Sequence, residues 1–263
     1  MTDQDGGQMK KQDPSARADQ IRTALASVRE RVDRATRTAG REQAPEIVVV
    51  TKFHPVEDVR VLAELGIRAV GENRDQEARA KAAEVEDLDL EWHFVGQLQT
   101  NKAKYVVRYA AAVQSVDRPE LVDALAAAMG REQDKRAAQG TPERDPLDCL
   151  IQVDLDPRPE QERPAGIGAR GGAHPDGVLE LAAQIDAADH LRLRGVMAVA
   201  PRGMDPAGSF TELAEISHRV RQRFPDATWI SAGMSSDLEQ AVAAGATHLR
   251  IGTDVLGPRP AVG

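Results

Sequence analysis

The chain has 263 residues, 41% hydrophobic and 29% charged, with 34 lysines and arginines against 42 aspartates and glutamates, a net charge of −8. That balance disfavours broad binding to nucleic acid or to an acidic membrane, and no run approaches the roughly 18 apolar residues of a membrane span. A single cysteine, Cys149, excludes an intramolecular disulfide, and its place in the apolar run "LDCLIQVDL" predicts an inert core thiol.

Residues 1–14, "MTDQDGGQMKKQDP", are polar and lack the apolar centre of a signal peptide, so a disordered tail on a cytoplasmic protein is expected. Ile21, Leu25, Val28 and Val32 then recur at helical spacing, with Ser15 as candidate N-cap and Gly40 as the stop. From there a rhythm sets in. Runs that read as buried strands occur at 47–51, 67–71, 92–96 and 111–116, then at 149–155, 193–199, 228–233 and 248–252. Amphipathic stretches such as "VEDVRVLAELG", "RPELVDALAAAMG" and "FTELAEISHRVRQRF" lie between most of them. Strands alternating with helices imply parallel pairing with right-handed crossovers. Eight repeats predict a single (β/α)8 TIM barrel with an extra N-terminal helix. The alternative, an open doubly wound sheet, lacks its usual G-x-G-x-x-G after the first strand. Residues 130–146 read as a polar surface insertion. Residues 156–177, rich in proline and glycine, form a long loop on what would be the functional face. Neither stretch reads as a domain boundary, so 15–263 is expected to be one domain.

The active face of such a barrel is the C-terminal end of its strands. "EIVVVTKFHP" ends the first strand on Lys52, which is either a strand end reaching solvent or an amine held at the barrel mouth. Gly71-Glu72-Asn73 ends the second strand, "SAGMSSD" (231–237) the seventh and "RIGTD" (250–254) the eighth. The six histidines form no metal-binding spacing. One amine, one arginine, small hydroxyl residues and glycines beside helix starts suit a phosphate-plus-aldehyde site instead. Ser235, Ser236 or Asp237 can cap the helix after the seventh strand, and the loops after strands 7 and 8 are a frequent phosphate site. A lysine near bound phosphate can condense with an aldehyde. Desolvation lowers its pKa and the phosphate raises it, so the net sign stays open.

"VVVTKFHP", "AVGENRDQEA", "LEWHFVGQLQTNK", "LRGVMAVAP" and "SAGMSSDLEQAVAAGATHLRIGTDVLG" together resemble the YggS/PROSC family. These are pyridoxal 5′-phosphate (PLP) homeostasis proteins, related to the barrel domain of alanine racemase. The likeness runs from about residue 18 to 258. It implies a barrel that carries PLP as an aldimine on Lys52 and buffers or delivers it, with no established turnover. PLP-accepting apoenzymes are the implied partners, and a monomer is expected rather than a dimer. By resemblance Asn73 lies near the cofactor, Met234, Ser235, Gly252 and Thr253 hold its phosphate, and Arg250 faces the pyridine nitrogen. An arginine is effectively always protonated, so that nitrogen should stay unprotonated and the ring should be a weak electron sink. The alternative is a PLP-dependent racemase. That chemistry needs a second proton donor across the ring, and in alanine racemase a further β-domain supplies a tyrosine. Here Tyr105 and Tyr109 are expected on the helix after the third strand, poorly placed for that role.

Two positions depart from the family pattern. Arg74 replaces the common tyrosine after "GEN", and Pro164 stands where a lysine commonly precedes the loop glycine. His93 reads equally as a satisfied core histidine or a pocket wall. Lys102, His174 and Arg170 read as structural or surface residues.

Overall fold

Short β-branched runs form parallel strands here because most of their side chains are buried, between a central lumen and a ring of helices. The structure is a computed structural model and describes residues 14–163 and 171–259. Residues 1–13 of the expected tail, with Pro164 and Arg170, lie outside the described residues.

The chain begins with α1 (Pro14–Thr38), then β1 (Glu46–Val50), α2 (Val56–Glu64), β2 (Ala69–Glu72), α3 (Asp75–Glu84) and β3 (Glu91–Phe94). It continues through α4 (Ala103–Val106), β4 (Ala110–Val116), α5 (Pro119–Ala138), β5 (Leu147–Gln152), α6 (Val178–Ala187) and β6 (Leu191–Met197). It ends with α7 (Pro206–Arg223), β7 (Trp229–Ser231), α8 (Leu238–Ala243), β8 (His248–Ile251) and α9 (Thr253–Leu256). The strands pair in sequence order and the sheet closes, β8 lying parallel to β1 with Val48 opposite Arg250. This is the predicted (β/α)8 barrel with an added N-terminal helix.

Side chains alternate across each strand. Val49, Val70, Val113, Leu249 and Ile251 join the apolar layer between sheet and helices. Gln114, Ser231 and Arg250 point the other way, since they hydrogen-bond across the lumen from β4, β7 and β8. Ile21, Leu25, Val28 and Val32 of α1 are buried, as their spacing predicts, and α1 packs on α2, α8 and α9. Gly40, at φ 66°, ends that helix, and the Arg41 N–H returns to the Thr36 carbonyl at 3.0 Å. Pro14 is already helical, so Ser15 sits inside the first turn rather than capping it.

Two further expectations change. The polar stretch from Gly130 is not all insertion: α5 runs on to Ala138, because "REQDKRAA" is made of good helix formers. Gln133 on that extension is buried and exchanges hydrogen bonds with the Arg144 backbone (2.7 and 2.9 Å). Tyr109 lies beyond the short α4, just before β4. Cys149 is fully buried, and burial pushes its thiol pKa up.

Candidate functional site

The C-terminal strand ends open onto a cavity of about 400 Å³. Its lining brings together Lys52, Asn73 and Arg250 with Met234, Ser235, Gly252 and Thr253. All seven residues singled out from the sequence therefore share one hollow. A larger hollow of about 930 Å³ adjoins it between α1, α2 and α9. It holds neither the lysine nor the β7 loop, so the smaller cavity is the chemically equipped one. Among the described residues no group of three or more His, Cys, Asp or Glu side chains could hold a metal, and no helix is long and apolar enough to cross a membrane.

Lys52 stands two residues past the end of β1, after Thr51, and is half-buried. No carboxylate among the described residues lies within ion-pairing distance of it. Burial is the main force holding its pKa below the usual lysine value; the positive charges of Arg259, Arg250 and Arg74 push the same way, and Glu72 opposes them. The protein's own groups therefore shift this amine downward, toward its neutral, nucleophilic form, and a bound phosphate would act against them. Phe53, next in the chain, takes a left-handed φ of 68°, which costs a non-glycine residue energy unless its surroundings hold it.

Lys81 on α3 does much of that holding. Its buried Nζ donates to the Thr51 carbonyl (2.8 Å), to Glu72 Oε1 (2.7 Å) and to Glu77 Oε1 (2.7 Å). Glu77 Oε1 also accepts from the Phe53 N–H (2.5 Å), and Glu72 Oε1 accepts from the Thr51 hydroxyl (2.7 Å). The residues on either side of Lys52 are therefore tied to one buried ion-pair hub. Nothing in the sequence marks Lys81 and Glu77, because α3 has no apolar stripe. Arg74 and Arg259 stack on the Phe53 ring, 4.9 and 4.7 Å from its centre, at the cavity edge.

Across the cavity stand the β7 and β8 loops. Gly233, at φ 90°, lets β7 turn into its loop; a Cβ there would come within 2.5 Å of the Ala241 Cβ. Asp237 precedes α8, but its carboxylate accepts from the Met234 N–H (2.6 Å) instead of capping the helix. The Met234 amide is thus already engaged, and this residue contributes its lining side chain. Arg250 is buried beneath, with NH1 on the Ser231 hydroxyl (2.7 Å) and NH2 on the Ala198 carbonyl (2.8 Å). Burial pulls its pKa down to about 10, so it stays charged at neutral pH. The Ser231 hydroxyl donates in turn to Gln114 Oε1 (2.6 Å), and Gln114 Nε2 meets His93 Nδ1 at 2.8 Å. His93 is absent from the cavity lining: it is a core histidine wired to Arg250 through the lumen.

Residues 23–260 match the family described as alanine racemase, N-terminal domain. The pyridoxal phosphate homeostasis protein of Corynebacterium glutamicum is 41% identical over 219 residues, covering 83% of this chain and 92% of that one.

The chain belongs to the pyridoxal phosphate homeostasis protein family.

The family's Mycobacterium tuberculosis protein is 40% identical over 259 residues, covering 92% of this chain and 94% of its own. Among solved structures, PipY of Synechococcus elongatus with PLP bound superposes with a TM-score of 0.72 at 31% identity, covering 90% of this chain and all of that one. Within this family frame the remaining sequence candidates fall away from the cavity. Lys102 lies in an exposed turn, its amine 5.6 Å from the Tyr105 ring centre, and neither Tyr105 nor Tyr109 lines the hollow. His174 is exposed and accepts from the Asp176 N–H (3.3 Å).

Proposed function

We propose that this protein binds PLP at Lys52 and acts in PLP homeostasis as a carrier rather than a robust catalyst. The single observation that carries this is the meeting, in one cavity, of a lysine held toward its neutral form and two hydroxyl- and glycine-bearing loops. The donor set suits the cofactor. Bound PLP supplies an aldehyde, an electron-withdrawing ring and a dianionic phosphate. Lys52 offers its amine to the aldehyde. Ser235 and Thr253 offer hydroxyls, and Gly252 an approachable backbone, to the phosphate. Asn73 brings a buried Oδ1 that has no hydrogen-bond partner in the protein, an atom waiting for a ligand donor. It is seated by a close approach: a Cβ on Gly96 would lie 2.3 Å from the Asn73 carbonyl oxygen. Arg250 is assigned to the pyridine nitrogen, and a charged guanidinium there keeps that nitrogen free of a proton and the ring a weak electron sink.

Racemisation also needs a proton-transfer group across the ring from Lys52. No tyrosine lines the cavity among the described residues. His54, which does, is turned toward Asp58, Nδ1 to Oδ2 at 3.5 Å. PLP-accepting apoenzymes as recipients, a monomeric state, a cytoplasmic location and a single domain over 15–263 belong to the same reading.

The test is spectroscopic. The purified protein should develop a visible absorbance band with PLP, and borohydride should fix the cofactor on the peptide bearing Lys52. Lys52→Ala should do neither. A wild-type protein that stays colourless refutes the reading. Rapid loss of α-deuterium from alanine in the loaded protein would replace the carrier reading with the racemase.

A further inference from the structure

Arg31 projects from α1, the helix that stands outside the eight repeats, and reaches both loops assigned to the phosphate. Its NH2 donates to the Ser235 carbonyl in the β7 loop (3.1 Å) and to Glu239 Oε2 on α8 (3.1 Å). Its NH1 donates to Asp254 Oδ2 on α9 (2.6 Å), and Nε to Glu239 Oε1 (3.0 Å). The Arg31 side chain is 30% exposed. A planar fork can meet a carboxylate in two places while a third donor reaches a carbonyl; a lysine ammonium cannot reproduce that geometry.

We infer that Arg31 is a positioning and specificity residue for the phosphate group, joining the two halves of the cup from behind and neutralising two carboxylates, Glu239 and Asp254, that flank them. Ser235 and Thr253 come from loops after different strands, so their spacing is set by whatever ties α8 to α9. Arg31 is one such tie, through the carbonyl of Ser235 itself and through Asp254, the neighbour of Thr253. The charge arrangement points the same way. Glu239 and Asp254 would otherwise stand unpaired beside a site for a dianion, and both are held by this one cation. Removing Arg31 therefore does two things to a phosphate-bearing ligand: it loosens the donors and exposes the ligand to like charge. A ligand with the same ring and aldehyde but no phosphate experiences neither effect. The extra helix thus sets which form of the vitamin the site accepts.

The inference depends on the phosphate reading above, and the experiment separates the two. Dissociation constants for PLP and for pyridoxal, its phosphate-free counterpart, are measured by absorbance titration on the full-length protein. The variants are Arg31→Met and Arg31→Lys, with apoprotein melting followed in parallel. In Arg31→Met the preference for PLP over pyridoxal should fall by about tenfold, carried by PLP alone. Arg31→Lys, which restores charge without the fork, should recover part of it. It also serves as the informative variant should Arg31→Met not fold. A preference equal to wild type in the folded variants overturns the proposal, whether both affinities are unchanged or both fall together; the latter would mark Arg31 as a general structural staple. If wild-type protein binds neither ligand, the cofactor reading itself fails and this inference with it.

Discussion

The protonation of Lys52 rests on a balance that single residues can tip. Burial and three arginines disfavour its protonated form, and Glu72 favours it. Only the neutral amine attacks an aldehyde, so lowering the pKa widens the pH range in which uptake is fast. Arg74 and Arg259 are the two of these arginines that stack on the Phe53 ring, next to Lys52 in the chain. Replacing either by alanine removes a positive charge, which raises the Lys52 pKa and moves the rising limb of the uptake rate to higher pH. The double variant should move it further. The readout is the initial rate of band formation in apoprotein against pH, because phosphate in the loaded protein pulls the same group the other way. A limb that stays put, or moves toward acid, would remove both arginines from the account of this amine.

At the scale of the element, α3 shows why a functional helix can escape notice. Its inward positions are Asp75, Ala78 and Lys81, so it has no apolar stripe. A lysine at such a place reads from sequence as a solvated charge. Burial alone reveals it as the hub for Thr51, Glu72 and Glu77. Lys81→Met keeps the stem but leaves Glu72 buried without its partner, and breaking such a pair costs about 3–5 kcal/mol. Chemical denaturation should show a loss in that range, and PLP and pyridoxal uptake should slow alike, since the defect lies at the amine and not at the phosphate. A loss below about 1 kcal/mol, the scale of an exposed pair, would mean the hub is not the anchor described. Legibility divides along the same line. Lys52, Gly252 and Thr253 were readable because strand ends are punctuated by glycine and small hydroxyl residues and because long motifs surround them. The strands were readable from β-branched runs. Arg31, Glu77 and Lys81 were not, since their partners are remote in sequence: Arg31 and Glu239 are 208 residues apart. The far half of α5 was misread because its polarity outweighed its helix propensity.

In the whole molecule, the site sits on the barrel's shortest seam. β7 is three residues long and its register with β8 is the single pair Ser231 and His248, whereas β5 and β6 pair along six positions. The seam continues irregularly, through Ala232 N–H to the His248 carbonyl (3.1 Å) and Arg250 N–H to the Gly233 carbonyl (3.0 Å). Beyond it lie the two loops assigned to the phosphate, with α1 laid across their outside. A ligand that bonds to both loops therefore joins the barrel where its own backbone joins it least. Binding also stabilises the folded state as a whole, by about 2.7 kcal/mol at a hundredfold excess over the dissociation constant. Local opening, however, should be suppressed most where the ligand adds links the chain lacks. Hydrogen–deuterium exchange with and without PLP resolves this. Peptides covering residues 231–237 and 250–256 should be strongly slowed, those over β4 and β5 little changed, and pyridoxal should reproduce much less of the effect than PLP. Protection centred on β4 to β6 instead would place the ligand on the opposite wall of the barrel and undo the assignment of Ser235, Gly252 and Thr253.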